Sequence, residues 1–97
     1  VNIDFKSKNF SKIYVNTLKE GDMLYIPINF AHGFAGMDKN NLIMYQFSHY
    51  HHKKSEIGIK HNDKELKINW PYKNAILSNK DKKNISFEEF KINYYNK

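Results

Sequence analysis

GDMLYIPINFAHGF, residues 21–34, is the stretch whose reading decides the fold. Met23, Tyr25 and Pro27 alternate with Leu24 and Ile26, which is the period of an extended strand. Pro27 has no N–H for a ladder and a fixed φ, so it suits a strand end. Asn29 accepts the left-handed backbone that a tight turn needs. The chain then returns as a second strand, with the imidazole of His32 inside an apolar run. On these residues alone, His32 is open between a hydrogen-bonded core histidine and a pocket histidine.

The neighbouring stretches repeat the pattern. Residues 1–6 alternate Val1, Ile3 and Phe5 against Asn2, Asp4 and Lys6, which predicts a half-buried strand. Residues 13–18 (IYVNTL) are β-branched and aromatic and predict the next one. Turn residues follow at 19–22 and again at 36–41 (GMDKNN). Residues 42–48 (LIMYQFS) carry the strongest strand signal, with Ile43, Tyr45 and Phe47 on one face. Residues 56–60 (EIGIK) alternate, and Leu66, Ile68 and Trp70 alternate up to Pro71. Ser86 and Glu89 form a capping box, predicting a short helix over 86–95. About seven short strands with frequent turns, plus one terminal helix, predict a sandwich or barrel. No repeat, linker or domain boundary divides residues 1–97.

Composition narrows the classes. The chain has 97 residues, the size of one small domain. It has no cysteine, hence no disulfide, thiolate metal site or cysteine nucleophile, and it suits a cytoplasmic setting. No apolar run is long enough for a membrane span, and the first residues carry no signal pattern. The chain starts at Val1 rather than Met, so it is read as processed or as a piece of something longer. The Lys and Arg total of 16 exceeds the 10 Asp and Glu, and all of the former are Lys. A nucleic-acid surface usually uses Arg for its bidentate contacts, so a solvated Lys-rich surface is the better reading. Some attraction for an anionic small substrate follows from the charge. His49, His51 and His52 invite a metal reading. They do not converge from separate turns or strands, and no Cys or acidic cluster sits beside them, so HYHHKK reads as a solvated loop.

Gly21, Pro27, Asn29 and His32 are spaced as in the second sequence motif of the cupin barrels, which this stretch resembles. That motif usually has Gly where Asn29 stands and often Asn where Gly36 stands. The longer order is more specific. IP–FAHGF is followed by a strand with Tyr, then EIGIKHND, then INWP, then ILSNKD. This order resembles the dTDP-4-dehydrorhamnose 3,5-epimerase family over about residues 1–81. The resemblance implies an all-β fold: a cupin or jelly-roll-type β-barrel, partial in this chain, with a short C-terminal helix. It implies a cytoplasmic epimerase of a nucleotide-linked 4-keto-6-deoxy sugar, serving surface carbohydrate synthesis. A related cupin branch, the 3,4-ketoisomerases, shares the fold and keto-sugar chemistry.

The resemblance also implies roles. Tyr45 matches the family's general acid. His32 lines the sugar-nucleotide pocket, and Glu56 and Lys80 contact the ligand. Asp81 orients and polarises the catalytic base. His51 stands where many members carry a second pocket Tyr. Without the resemblance, a core tyrosine is the minority reading of Tyr45, and a turn carboxylate is the leading reading of Asp81. The chemistry explains the residue types. A 4-keto group acidifies the hydrogens on C3 and C5, a base removes one, and an acid returns a proton on the opposite face. A phenol, protonated at neutral pH, can be that acid. No cofactor or metal is implied, since cupin metal ligands come mostly from the first motif and this chain offers only His32.

The resemblance places the family's general-base His, with an Arg and a Lys, upstream of Val1. The 97 residues then correspond to the domain without its N-terminal third. Three readings stay open: part of an active epimerase, an inactive truncated paralogue that keeps a sugar-nucleotide pocket, or an assembly module. The expected partners are a nucleotide-linked 4-keto sugar and a second chain. That chain is either a homodimer mate or a chain supplying the missing strands, because bare strand edges invite pairing.

Overall fold

The computed structural model describes residues 1–95. It corrects the expected all-β architecture. Among the described residues there is no β-strand and no sheet or barrel. Ladder pairing is limited to two isolated bridges, Asn2 with Phe30 (antiparallel) and Ile59 with Ile85 (parallel). The regular elements are one helix, α1 (Phe87–Tyr94), and two 3-10 turns, Lys53–Ser55 and Asp81–Lys83.

The reason lies in what alternation reports. It says which side chains share a face. It does not supply the neighbouring segment, about 4.8 Å away, that a ladder needs. Residues 13–18, 23–28 and 42–48 make no backbone hydrogen bond to another segment among the described residues. Their apolar side chains consequently stay in solvent, with Met23, Leu42 and Met44 each more than nine-tenths exposed.

The N-terminal strand is cut short for a local reason. Asn2 Oδ1 accepts from Asp4 N (2.9 Å), and Asp4 Oδ1 accepts from Lys6 N (3.0 Å). These side-chain turns offer the backbone an alternative to a ladder. Only residues 1–3 remain extended, threaded between two other segments. Asn2 N donates to Lys12 O (3.0 Å), Ile3 N to Asn29 O and Ala31 N to Val1 O (both 2.9 Å). Asn29 turns the chain here with φ +64°, the left-handed conformation its type was expected to supply. The tight turns over residues 4–12 stack the rings of Phe5 and Phe10 at 4.8 Å.

The helix forms where the capping box places it. Ser86 is extended and its Oγ accepts from Glu89 N at 3.1 Å. Glu88 and Glu89 occupy the first turn, where the helix dipole favours negative charge. Phe87 and Phe90 face inward, and with Leu66 they make the buried core. Phe5, Phe10, Ile59, Ile68 and Ile85 pack around them. The four phenylalanines form a stacked group: Phe5 to Phe90 is 5.6 Å, Phe10 to Phe87 is 5.7 Å, and Phe87 to Phe90 is 6.0 Å. Burying a ring of this size stabilises the fold by about 1.5–3 kcal/mol.

Asp63 ties this core together. Its Oδ1 accepts from Glu65 N (3.0 Å) and Leu66 N (3.1 Å), and its Oδ2 from Phe87 N (2.8 Å). One carboxylate therefore closes its own loop and serves the first N–H of α1. It is buried, and burial alone would raise its pKa. The hydrogen bonds from Phe87, Leu66 and Glu65, with the charge of Lys60, outweigh burial and hold the carboxyl below its ordinary value.

Candidate functional site

Two segments meet where the expected ligand contacts lie. The parallel bridge of Ile59 with Ile85 is made by Ile85 N donating to Gly58 O (3.1 Å) and Lys60 N to Ile85 O (2.8 Å). This register brings the residues just before each bridge partner together. Asn84 lies across the junction: its Nδ2 donates to Ile59 O at 3.3 Å and approaches Asp81 Oδ1 at 3.5 Å. The Asn84 carboxamide sits so close to Gly58 that a Cβ there would be 2.0 Å from its oxygen. A side chain at 58 would have to displace the Asn84 carboxamide, while the backbone there makes no demand for glycine.

Glu56, Lys80 and His51 converge beside this junction. Lys80 Nζ is ion-paired with Glu56 Oε1, and His51 Nε2 lies 3.2 Å from Glu56 Oε2. The 3-10 turn Lys53–Ser55 folds His51 back onto Glu56, helped by a 2.6 Å contact between His52 Nδ1 and Ser55 Oγ. The hydrogen bond from Lys80 is the largest influence on Glu56 and lowers its pKa. Desolvation opposes this, and the bond from His51 adds to the lowering. Glu56, Lys80, Lys83, Asn84, Asn93 and Tyr94 line an open groove of about 370 Å³. The turn bearing Lys80 is itself held by Ser78, whose Oγ accepts from Asp81 N (3.1 Å) and whose carbonyl accepts from Lys82 N (3.1 Å).

Tyr45 belongs to a second group. Its ring lies 6.2 Å from Phe34 and 6.1 Å from Phe47, nearly parallel to the latter. The sequence expectation put Tyr45 inside a barrel; here it is half-exposed, as is Ile43. Partial burial still raises the phenol above its ordinary value, so it stays protonated at neutral pH. Exposed His32 lies two residues before Phe34, and a Cβ on the intervening Gly33 would meet Trp70 at 3.5 Å. Asp81 is exposed and its carboxylate faces Asn84. The structure thus joins Glu56, Lys80 and His51 through contacts. It sets Tyr45 beside Phe34 and Phe47, with no hydrogen bond, ion pair or ring contact from Tyr45 to Glu56, Lys80 or Asp81 among the described residues.

Asp63, Gly58 and Asn84 are the residues sequence reasoning passed over. The local signal for Asp63 was present, since an Asp followed by two N–H groups at two and three residues on is a side-chain turn. Its reach to Phe87 and the seating of Asn84 on Gly58 join residues 24 and 26 positions apart. Among the described residues, no group of three or more His, Cys, Asp or Glu is placed to hold a metal ion. No helix there is long and apolar enough to cross a membrane.

By class, a protonated phenol and a clustered carboxylate, amine and imidazole are the side chains of general acid–base chemistry. Comparison with known proteins specifies the family. A sequence profile of dTDP-4-dehydrorhamnose 3,5-epimerase matches residues 1–89, and the chain belongs to that family. The dTDP-4-dehydrorhamnose 3,5-epimerase of Shigella flexneri is 37% identical over 83 residues, covering 84% of this chain and 46% of its own length. That of Escherichia coli K12 is 36% identical over 93 residues, covering 92% of this chain and 50% of its own length. That of Pseudomonas aeruginosa PAO1 is 36% identical over 67 residues, 68% of this chain and 37% of its own length. The chain spans about half the length of the curated relatives it matches. No solved structure matches it.

Proposed function

We propose that this chain belongs to an epimerase of a nucleotide-linked 4-keto-6-deoxy sugar, a dTDP-4-dehydrorhamnose 3,5-epimerase-like isomerase of surface carbohydrate synthesis. The observation that carries the reading is family membership over residues 1–89, with Tyr45 present and protonated in this chain. The reaction breaks the C3–H or C5–H bond next to the keto group, and the electron pair moves into the carbonyl as an enolate. Tyr45 then gives its phenolic proton to carbon on the face opposite the one that lost it. The phenolate regains a proton from solvent. The first proton passes to a histidine base, which the family resemblance puts outside these residues, and Asp81 is read as the carboxylate that orients it. Lys80, Glu56 and His51 meet the polar parts of the ligand, and His32 lines the sugar side. The working form is a homodimer or a pairing with a chain that supplies the missing strands.

The test uses the natural polypeptide that contains this chain, with a dTDP-linked 4-keto-6-deoxy sugar in deuterated water. Deuterium is expected to enter at C3 and C5, and Tyr45→Phe is expected to slow its entry about 10²- to 10⁴-fold, the usual size of a lost general acid. Binding of the sugar nucleotide without any deuterium entry would sink the epimerase reading and leave a binding module.

A further inference from the structure

Asn84 holds two segments together and also reaches a side chain of the candidate site. Its main-chain N donates to Asp81 O (3.4 Å), closing the 3-10 turn Asp81–Lys83. Its Nδ2 donates to Ile59 O at 3.3 Å and meets Asp81 Oδ1 at 3.5 Å. Both side-chain partners are acceptors, so the amide nitrogen faces them and the amide oxygen is left toward Gly58. There is room for it because residue 58 has no side chain. The half-buried carboxamide is thus held by Ile59, by Gly58 and by its own turn. Asp81 is exposed, and an exposed aspartate ordinarily samples several side-chain orientations. Ser78 Oγ, which accepts from Asp81 N (3.1 Å), fixes only the main chain there. Asn84 reaches the carboxylate itself. Asn84 and Lys80 line the same groove, so this contact lies beside the expected ligand contacts.

We propose that Asn84 is a positioning residue for the epimerisation: its carboxamide ties the Asp81 carboxylate to Ile59 and so sets the direction from which Asp81 orients the catalytic base. This rests on the epimerase reading above. Asn84 touches no reacting atom and acts through Asp81. The role needs an N–H donor of this length, because the hydrogen bond ends on a carboxylate. Asn84→Asp keeps the shape but sets a second carboxylate against the first, and like charges at that distance repel. Asn84→Ala leaves the Asp81 side chain free to turn. The main-chain bond that closes residues 81–84 remains available in both variants.

The test uses the natural polypeptide and two readouts. One is deuterium entry from deuterated water into a dTDP-linked 4-keto-6-deoxy sugar, which gives kcat and KM. The other is the Kd of dTDP-glucose, which has no keto group to react, measured by calorimetry. Asn84→Ala and Asn84→Asp are expected to lower kcat roughly 10-fold, the size of one hydrogen bond to a charged group. The dTDP-glucose Kd should stay near the parent value, which also shows that the variants are folded. Gly58→Ala should lower kcat as well, because the added methyl displaces the carboxamide, and Asn84→Ala on top of it should cost nothing further. In an Asp81→Ala background, kcat should be indifferent to Asn84→Ala. A parent-like kcat in Asn84→Asp, full additivity with Asp81→Ala, or a Kd that weakens in step with kcat overturns this proposal alone. Should the Asn84 variants fail to fold, Gly58→Ala carries the test, and a parent-like kcat there overturns the proposal. No deuterium entry in the parent overturns it together with the epimerase reading.

Discussion

Residues 1–13 and 58–95 hold every buried side chain of the described chain, while residues 14–57 hold none. Hydrophobic content does not separate them. Residues 14–57 contain Tyr14, Leu24, Tyr25, Phe34, Leu42, Met44 and Phe47, all exposed. The packed region differs in having polar ties that fix the turns beside the residues that pack. Asn2, Asp4, Ser7, Asp63 and Ser86 each accept a backbone N–H within their own loop. Such ties hold Phe5, Phe10, Phe87 and Phe90 where their rings can meet. In 14–57 the comparable ties, Asp22 with Lys19 and Asn41 with Asp38, close turns between segments that remain apart. Burial follows from fixed turns plus apolar side chains, and apolar side chains alone leave a segment in water.

The largest expected effect lies at the centre of the packed region. Phe87 is fully buried, and Phe87→Ala is expected to cost about 3–5 kcal/mol in chemical denaturation, the usual range for a core aromatic. Ring-current-shifted resonances of Phe5 and Phe10 should collapse toward random-coil positions, while those of Tyr45 and Phe47 stay. Loss of both sets together would break the comparison by showing that the two regions unfold as one.

Asp63 comes next and brings a pH dependence. Its folded carboxyl lies below the ordinary value, so its contribution is present above the unfolded carboxylate range and is lost as pH falls through the folded value. Asp63→Asn keeps the size but leaves Phe87 N with a weaker acceptor or none. The expected cost is about 1–3 kcal/mol at neutral pH. The difference should shrink as pH falls below the ordinary carboxylate range, because the unfolded parent then binds a proton that the folded carboxylate does not yet take up. A cost that stays constant from pH 7 to pH 3 would mean that packing, not charge, sets the role of Asp63.

How much of this could be read in the sequence follows the same division. The helix was legible because Ser86 and Glu89 are three residues apart and the cap is local. The left-handed turn at Asn29 was legible from residue type. Glu56 and Lys80 were named from the family pattern, and the structure joins them with His51. The strands were misjudged because alternation over 22–26 and 42–48 describes one chain, whereas a strand is a property of a pair. Residues 49–54 are solvated as read, and what the sequence did not reveal is the 3-10 turn that folds His51 onto Glu56, since Lys53–Ser55 carries no strong turn residue. The fit of Asn84 onto Gly58 depends on the register of two segments and has no local trace.

The smallest expected effect is the sharpest probe of the extended region. Leu42 is 97% exposed among the described residues, so Leu42→Ser removes no burial there and should change stability by less than about 0.5 kcal/mol. The measurement matters most in the natural polypeptide, because the relatives are about twice as long as this chain. A leucine wholly withdrawn from water contributes about 1.5–3 kcal/mol. If Leu42→Ser costs that much there, groups outside the described residues cover the face of Leu42 and Met44. The exposure of 14–57 would then describe this stretch alone, and its apolar residues would be an interior awaiting its other side. A null effect would mean that the face of Leu42 and Met44 meets solvent in the working protein as it does in this stretch.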